Sequence, residues 1–416
     1  MDFEGASVML GALTLIYPPP VRRISGEREK NMKIQLLNKI AKIGTDRFDA
    51  RFTVAADVTD PEAIMVRSAA MHDMTFGENL LAVARAGAGV NNIPLERLAK
   101  DGVVVFNTPG ANANGVKELA IAALMLASRD VVGGIEWAKT LPGVEGGVAK
   151  AVEAGKSKFA GSEILGKTLG VIGLGAIGGL VANAARSLGM NVVGCDPYIT
   201  VHAAWSLSRS VEHAASYDEI YAKSDYITLH VPSTKDTKGM INRETIAKMK
   251  DGVRIINLAR ADLVDTAALR EALESGKVAS YVTDFPTEDT LTLPRTVNIP
   301  HLGASTAESE DNCAVMAADE LIEFLTTGNI KNSVNYPNVA IPHTGAARIC
   351  ICHLNVANML SQITSAVSAE GINIENLSNG SRGEFAYTIV EVGVAVPEAV
   401  VKKISSIEGI IKVRVL

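Results

Sequence analysis

The sequence predicts an α/β protein with three cores: two doubly wound, Rossmann-like parallel units and a small ferredoxin-like βαββαβ unit at the C-terminal end. Three observations predict it. Short apolar runs alternate with polar helical segments from Met32 to about Pro300, the pattern of parallel strands joined by crossover helices. One strand runs straight into Gly173-Leu174-Gly175-Ala176-Ile177-Gly178, the turn that opens a dinucleotide-binding βαβ unit. Beyond a Pro/Asn-rich stretch, residues 348–416 read strand, helix, strand, strand, helix, strand.

The first unit has strand candidates at Phe52-Ala55, Ala63-Val66, Leu81-Ala84 and Val103-Phe106, then a long helix from Val116 to Trp137. A Gly- and Lys-rich passage, Pro142 to Gly161, reads as a crossover between domains. The second unit has strands at Leu169-Val171, Asn191-Gly194, Tyr226-Val231, Arg254-Leu258 and Val297-Ile299. A helix from Ala307 to Leu325 precedes the segment 328–347, whose prolines and asparagines break periodicity and suggest a linker. The expected division is 32–127 with 302–335 for substrate, 128–301 for the dinucleotide, 336–347 as linker and 348–416 as a separate tail domain.

At 416 residues the chain is long enough for two or three cores. Forty basic and 46 acidic residues give a net charge of −6, and no block of like charge marks a nucleic-acid or anionic-membrane surface. A small-molecule partner is therefore expected. Four cysteines (Cys195, Cys313, Cys350, Cys352) lack the paired spacing of a zinc ribbon or disulfide framework and suit a reducing, cytoplasmic setting. No metal is expected. The apolar run Val8 to Tyr17 is too short for a membrane span. Residues 1–31 read as an extension outside the fold, and Gly26 to Asn31 would be encoded by purine-rich codons like a ribosome-binding site, so translation is expected to start at Met32. Mass spectrometry of the native protein would reveal an intact extension if that expectation is wrong.

In the glycine motif, Gly173 permits the tight turn, Gly175 lets backbone amides approach a pyrophosphate, and Gly178 lets the helix lie close to the strand. Ala176 and Ile177 open the helix, whose N-terminus supplies partial positive charge. Asp196 ends the next strand, 18 residues after Gly178, where a carboxylate accepts from both ribose hydroxyls and repels a 2′-phosphate. The cofactor expected is NAD rather than NADP.

Hydride transfer at a hydroxyl-bearing carbon needs a base for the hydroxyl proton and a cation for the substrate carboxylate. Arg260, Glu288 and His301 each follow a strand of the second unit, where strand ends converge on the cofactor crevice. A histidine with a glutamate partner makes a tunable base. Taken singly, Arg260 reads equally as a surface ion pair, His301 as a capping residue and Glu288 as a solvated acid.

Together these residues resemble the D-2-hydroxyacid dehydrogenase family. The likeness rests on Gly173 to Gly178, on Leu229-His230-Val231-Pro232 with Thr237 to Asn242, on Asn257-Leu258-Ala259-Arg260 and on Pro300-His301-Leu302-Gly303. It implies that Arg260 binds the carboxylate and keto oxygen, that His301 is the acid/base and that Glu288 supports it. It adds His230, Val231, Pro232, Thr237, Ala259, Asp284 and Gly303 to the cofactor residues. Two features differ from the family pattern. Ala261 stands where glycine is usual, and the interval from Asp284 to Glu288 is one residue short, which leaves Asp289 as a rival to Glu288.

Within that family, the first unit resembles the enzymes that oxidise 3-phosphoglycerate. Arg67 and Ser68 are implied to hold phosphate through a guanidinium fork, Ala88 and Gly89 to offer amides to a carboxylate, and Asn112 to contact substrate. Ala69-Ala70-Met71-His72 lacks the polar residue often found there. The tail resembles an ACT domain, implying L-serine as effector at His353, Asn355 and Asn373 and a homodimer or homotetramer; a purely structural tail is the alternative reading. A dehydrogenase for 2-hydroxyglutarate or glycerate, or an NAD-sensing corepressor on the same fold, are the competing functions.

Overall fold

The computed structural model describes residues 31–416. The expected N-terminal extension, with the run Val8 to Tyr17, lies outside the described residues. Strands β1 (Met32–Leu37), β2 (Phe52–Ala55), β3 (Ala63–Val66), β4 (Ala82–Arg85) and β5 (Val104–Asn107) form a parallel sheet in the order β2-β1-β3-β4-β5. The chain returns to this sheet much later, in the helix Ala307–Thr327. Thr306 starts that helix by accepting from the Ser309 amide, and Gly328 ends it in the left-handed conformation. Its apolar stripe, Cys313, Ala317, Leu321 and Phe324, recurs at helical spacing and packs with Ile34, Met65, Ala84 and Phe106.

The second sheet contains β6 (Thr168–Ile172), β7 (Asn191–Cys195), β8 (Val211–His213), β9 (Tyr226–Leu229), β10 (Val253–Asn257), β11 (Val278–Thr283) and β12 (Thr296–Asn298). Its order, β12-β11-β10-β9-β6-β7-β8, reverses direction between β6 and β9, the switch point at which such sheets bind ligands. The expected strand set lacks β8 and β11. β8 is three residues long with polar Glu212 and His213, too little for a periodic signal, whereas Val278, Tyr281, Val282 and Thr283 in β11 are good strand formers. The expected helix Val116 to Trp137 is two helices, Ala113–Ser128 and Val131–Ala138. Arg129 is extended between them, and the Asp130 side chain accepts from the Gly133 amide, starting a new helix instead of continuing the old one. The crossover passage is itself partly helical, at Val148–Gly155.

The tail sheet contains β13 (Ala347–Leu354), β14 (Ile374–Arg382), β15 (Phe385–Val392) and β16 (Ile410–Val415), antiparallel in the order β14-β15-β13-β16. This is the ferredoxin-like arrangement. Alternate residues of β13 and β15 serve two cores. Ile349, Ile351, Val390 and Val392 meet the helices Met359–Ser368 and Glu398–Ser405. Cys350, Cys352, Phe385, Tyr387 and Ile389 face the other way into the core of the first sheet, which is why both strands are apolar on both faces.

The stretch expected as a linker is packed. Tyr336 is fully buried and donates to the Ala99 carbonyl at 2.7 Å, and Ile330 bridges to Val339. Arg348 and Glu391, both fully buried, pair at 2.5 Å, and Arg348 also donates to the carbonyls of Thr327 and Ile341 and to Asn329 Oδ1. The tail domain is thus docked on the first sheet. All four cysteines are buried free thiols.

Candidate active site

A cleft of about 700 Å³ opens where the C-terminal strand ends of the two parallel sheets face each other. From the first sheet, Arg67 and Ser68 follow β3, Ala88 and Gly89 follow β4, and Asn112 follows β5; from the second, Arg260 follows β10 and His301 follows β12. All seven line the cleft. Parallel strands put their following loops at one end of a sheet, so residues far apart in sequence meet there.

Local chemistry holds each group. Asn38, itself in the left-handed region, accepts from the Ser68 and Ala69 amides at 3.0 and 2.7 Å and so shapes the loop carrying Arg67. Asn107 Nδ2 donates to the Ala88 carbonyl at 2.6 Å. Buried Asn257 builds the turn that presents Arg260: its Oδ1 accepts from the Ala259 and Arg260 amides, and its Nδ2 donates to the Arg260 carbonyl. The Phe285 ring lies between the catalytic candidates, 4.7 Å from the His301 ring and 5.8 Å from the Arg260 guanidinium carbon. A third guanidinium, Arg85, lines the cleft as well; burial lowers its pKa, and it donates to the Arg67 carbonyl. Sequence reasoning assigned no role to Arg85, Asn38 or Phe285, although Arg85 stands three residues before the Ala88 it did single out.

Three expected residues sit apart from the cleft or have other partners in this structure. The Glu288 carboxylate is exposed in the first turn of the helix Glu288–Leu291, outside the cleft, and no side-chain acceptor bonds the His301 ring among the described residues. Thr287 and Thr290 cap that helix reciprocally, which turns position 288 outward; the neighbouring Asp289 is exposed too. Asp284, expected beside the cofactor, is buried and accepts from the Leu302 and Gly303 amides at 2.7 and 2.8 Å. It thereby clamps the turn in which His301 takes φ 54°, a strained value for a non-glycine residue. The Gly303 amide is spent on that clamp rather than offered to a ligand.

At the switch point the glycines behave as their spacing predicts. Gly173 has φ 89°, and a Cβ there would lie 2.5 Å from the His230 carbonyl oxygen; one on Gly178 would lie 1.9 Å from the Gly173 oxygen. At Gly175 a Cβ would meet nothing within 4 Å. That open cradle, at the N-terminus of the helix Ala176–Ser187, fits a pyrophosphate. Asp196 accepts from the Leu174 and Tyr198 amides, each at 2.9 Å, which fixes its carboxylate at the end of β7. His230, Val231 and Pro232 follow β9 across the crevice, and Val231 lies against Gly173. Burial pushes the His230 imidazole down to about 4, so the ring is neutral, and it hydrogen-bonds Thr228 at 2.9 Å. Thr237 donates to the Pro232 carbonyl and shapes that loop, and Ala259 lies half-buried at the end of β10.

In the tail, His353 is buried with both ring nitrogens engaged, one on the Leu354 carbonyl and one on Thr388 Oγ1, each at 2.8 Å. Its ring is thus fully engaged within the tail domain in this structure, and burial also lowers its pKa. Asn355 and Asn373 are exposed, and Asn355 donates to the Gly383 carbonyl. No hydrogen bond joins Asn373 to either residue among those described.

A doubly wound sheet with an open glycine cradle and an acid at the end of its second strand define a dinucleotide-binding class of fold, with an arginine and a histidine in the facing cleft. Residues 135–303 match the NAD-binding domain of the D-isomer specific 2-hydroxyacid dehydrogenases. It is 36% identical over 303 residues to a D-3-phosphoglycerate dehydrogenase of Archaeoglobus fulgidus, covering 70% of this chain and 54% of the relative. A D-3-phosphoglycerate dehydrogenase of Methanocaldococcus jannaschii is 33% identical over 349 residues, covering 82% and 64%. The chain therefore spans between half and two thirds of the length of these relatives. The NAD+-bound 3-phosphoglycerate dehydrogenase structure of Entamoeba histolytica superimposes with a TM-score of 0.54 at 26% identity, covering 73% of this chain and 99% of that one.

Proposed function

We propose that the chain catalyses the NAD-dependent oxidation of 3-phosphoglycerate to 3-phosphohydroxypyruvate, the entry to L-serine synthesis. One observation carries the reading: a single cleft collects Arg67 and Ser68 from the first sheet and Arg260 and His301 from the second. Three guanidiniums suit a substrate with a phosphate and a carboxylate. Ser68 and Arg67 hold the phosphate, Arg260 holds the carboxylate and the developing carbonyl, and Asn112 and the backbone at Ala88 and Gly89 orient the rest. His301 takes the proton of the C2 hydroxyl. Gly175 and the helix N-terminus would hold the pyrophosphate of NAD and Asp196 its ribose, and the bound cofactor would supply the acceptor for the C2 hydride. In this reading, residues 32–127 with 302–335 grip substrate and 128–301 hold the cofactor.

NADH formation from 3-phosphoglycerate, beside glycerate and 2-hydroxyglutarate, tests the reading. Turnover of the unphosphorylated acids alone overturns the phosphate assignment.

The tail domain, 348–416, serves as an ACT-type regulatory unit, with L-serine contacting Asn355 and Asn373. The helices Val131–Ala138 and Val148–Gly155 expose Val131, Val132, Ile135 and Val148, an apolar strip suited to a second copy of the chain. Four free buried thiols agree with a cytoplasmic setting. No helix among the described residues is long and apolar enough to cross a membrane.

A further inference from the structure

Among the described residues, Glu310 is the only carboxylate that lines the active-site cleft, where Arg67, Arg85 and Arg260 supply three guanidiniums. It accepts from Arg67 Nη2 at 2.5 Å. A carboxylate in that place works against an anionic substrate. Three guanidiniums less one carboxylate leave two positive charges, whereas 3-phosphoglycerate brings a carboxylate and a phosphate that alone carries about −1.5 to −2 at neutral pH. For phosphate to take Arg67, Glu310 must leave it, and a displaced carboxylate beside a phosphate is repelled unless another cation receives it.

The fold puts one such cation at hand. β1 pairs with β3 in parallel, Leu37 opposite Val66, so the loops that follow the two strands leave the sheet side by side. Asn38 joins them by accepting from the Ser68 and Ala69 amides. The chain after Lys39 then lies tight on the helix Ala307–Thr327: a Cβ on Gly44 would sit 2.5 Å from the carbonyl carbon of Ala314, one helical turn beyond Glu310. Lys39 is thereby held near both the Arg67 loop and the Glu310 helix. With Arg67, Ala86, Glu310 and Ala314 it lines a small cavity of about 20 Å³ that shares Arg67, Ala86 and Glu310 with the cleft. The space suffices for about one water, or for a carboxylate to turn. Lys39 does not line the cleft itself. It is exposed, and its ammonium has no hydrogen bond or ion pair among the described residues.

We propose that Lys39 sets the preference for phosphorylated substrate by receiving Glu310: when phosphate takes the Arg67 guanidinium, the Glu310 carboxylate turns through the small cavity to the Lys39 ammonium. This rests on the reading of Arg67 as the phosphate-binding residue. In the empty cleft Glu310 keeps Arg67 paired. In the loaded cleft its charge is neutralised outside, and three guanidiniums meet roughly three negative charges on the substrate. Lys39 is a positioning residue, acting on the phosphate through Glu310.

Steady-state kinetics of the wild type, Lys39→Met, Glu310→Gln and the double variant test this as a double-mutant cycle. Lys39→Met should raise KM for 3-phosphoglycerate roughly three- to tenfold with kcat little changed, the scale of partly exposed charge pairs. The inhibition constant of glycerate, which competes for the cleft without a phosphate, should move less than about twofold. In the Glu310→Gln background no carboxylate needs a receiver, so adding Lys39→Met should shift KM less than about twofold. Lys39→Arg should restore the wild-type KM. An equal rise in both backgrounds would mean that Lys39 meets the phosphate itself or serves only the fold, and an unmoved KM in Lys39→Met that it takes no part; either result overturns the inference while the proposed reaction stands. Failure of the wild type itself to turn over 3-phosphoglycerate brings down the proposed reaction, and this inference with it.

Discussion

Arg67 Nη2 donates to Glu310 Oε1 at 2.5 Å in the lining of the cleft, so the guanidinium read as the phosphate clamp already holds a carboxylate. Both side chains are nearly half exposed, so the pair is worth little to stability. Its consequence is for binding, since a phosphate must share or displace Glu310. Glu310→Gln should therefore lower KM for 3-phosphoglycerate, and Arg67→Ala should raise it roughly 10- to 100-fold, the worth of charge-assisted hydrogen bonds. Activity on unphosphorylated glycerate should hardly change in Arg67→Ala. Steady-state KM values decide it, and parallel losses on both substrates would contradict the assignment.

Asp284 and His301 act as one unit, the first clamping the turn that strains the second. Asp284→Ala strands two amides and should destabilise the protein by about 1–3 kcal/mol for each one left unsatisfied. It should also depress kcat more than KM, because the imidazole loses its position while the guanidiniums remain. Thermal melting with steady-state kinetics checks both, and an unchanged kcat would deny His301 its role. His301→Asn should lower kcat by about 10²–10⁴-fold, the usual contribution of a general base.

Glu288 lies outside the cleft, yet its short helix hangs from β11 by Asp284, Phe285, Pro286 and Thr287, of which Phe285 touches the His301 ring. Catalytic hydrogen bonds often form only in the closed complex. If the helix rotates inward on closure, Glu288→Gln loses kcat by about 10–100-fold while Asp289→Asn does not. If both variants keep wild-type kcat, the geometry seen here persists in turnover and His301 works without a carboxylate.

The buried pair Arg348 and Glu391 fastens the tail. Burial raises the Glu391 carboxyl, but hydrogen bonds from Arg348 and Thr344 together outweigh it and hold the pKa below the ordinary range. A carboxyl depressed in the folded state lends stability above its unfolded pKa and loses it as pH falls through the folded value. The melting temperature should thus drop on acidification below the usual carboxylate range, and less steeply in Glu391→Gln. Arg348→Met leaves a buried charge unpaired and should destabilise by about 3–5 kcal/mol. A flat acid profile in the wild type would show that the pair contributes nothing.

Sequence by itself determined the elements whose signal is local. The glycine turn at Gly173 to Gly178 was legible because each glycine answers a steric demand of its own short segment, and Asp196 because the length of one βαβ unit fixes where the second strand ends. Arg260, His301, Arg67 and Asn112 were legible as strand-end residues, since parallel topology sends every such loop to the same edge. Other features belong to the tertiary structure alone. The break at Arg129, the outward turn of Glu288 and the sealing of His353 beneath Thr388 each depend on a hydrogen bond whose partner the local pattern does not name. The packed passage around Tyr336 and the pair Arg348–Glu391 arise where the tail sheet meets the first domain. Burial and charge partners there are set by contacts between segments that share no periodicity, and only the folded chain brings them together.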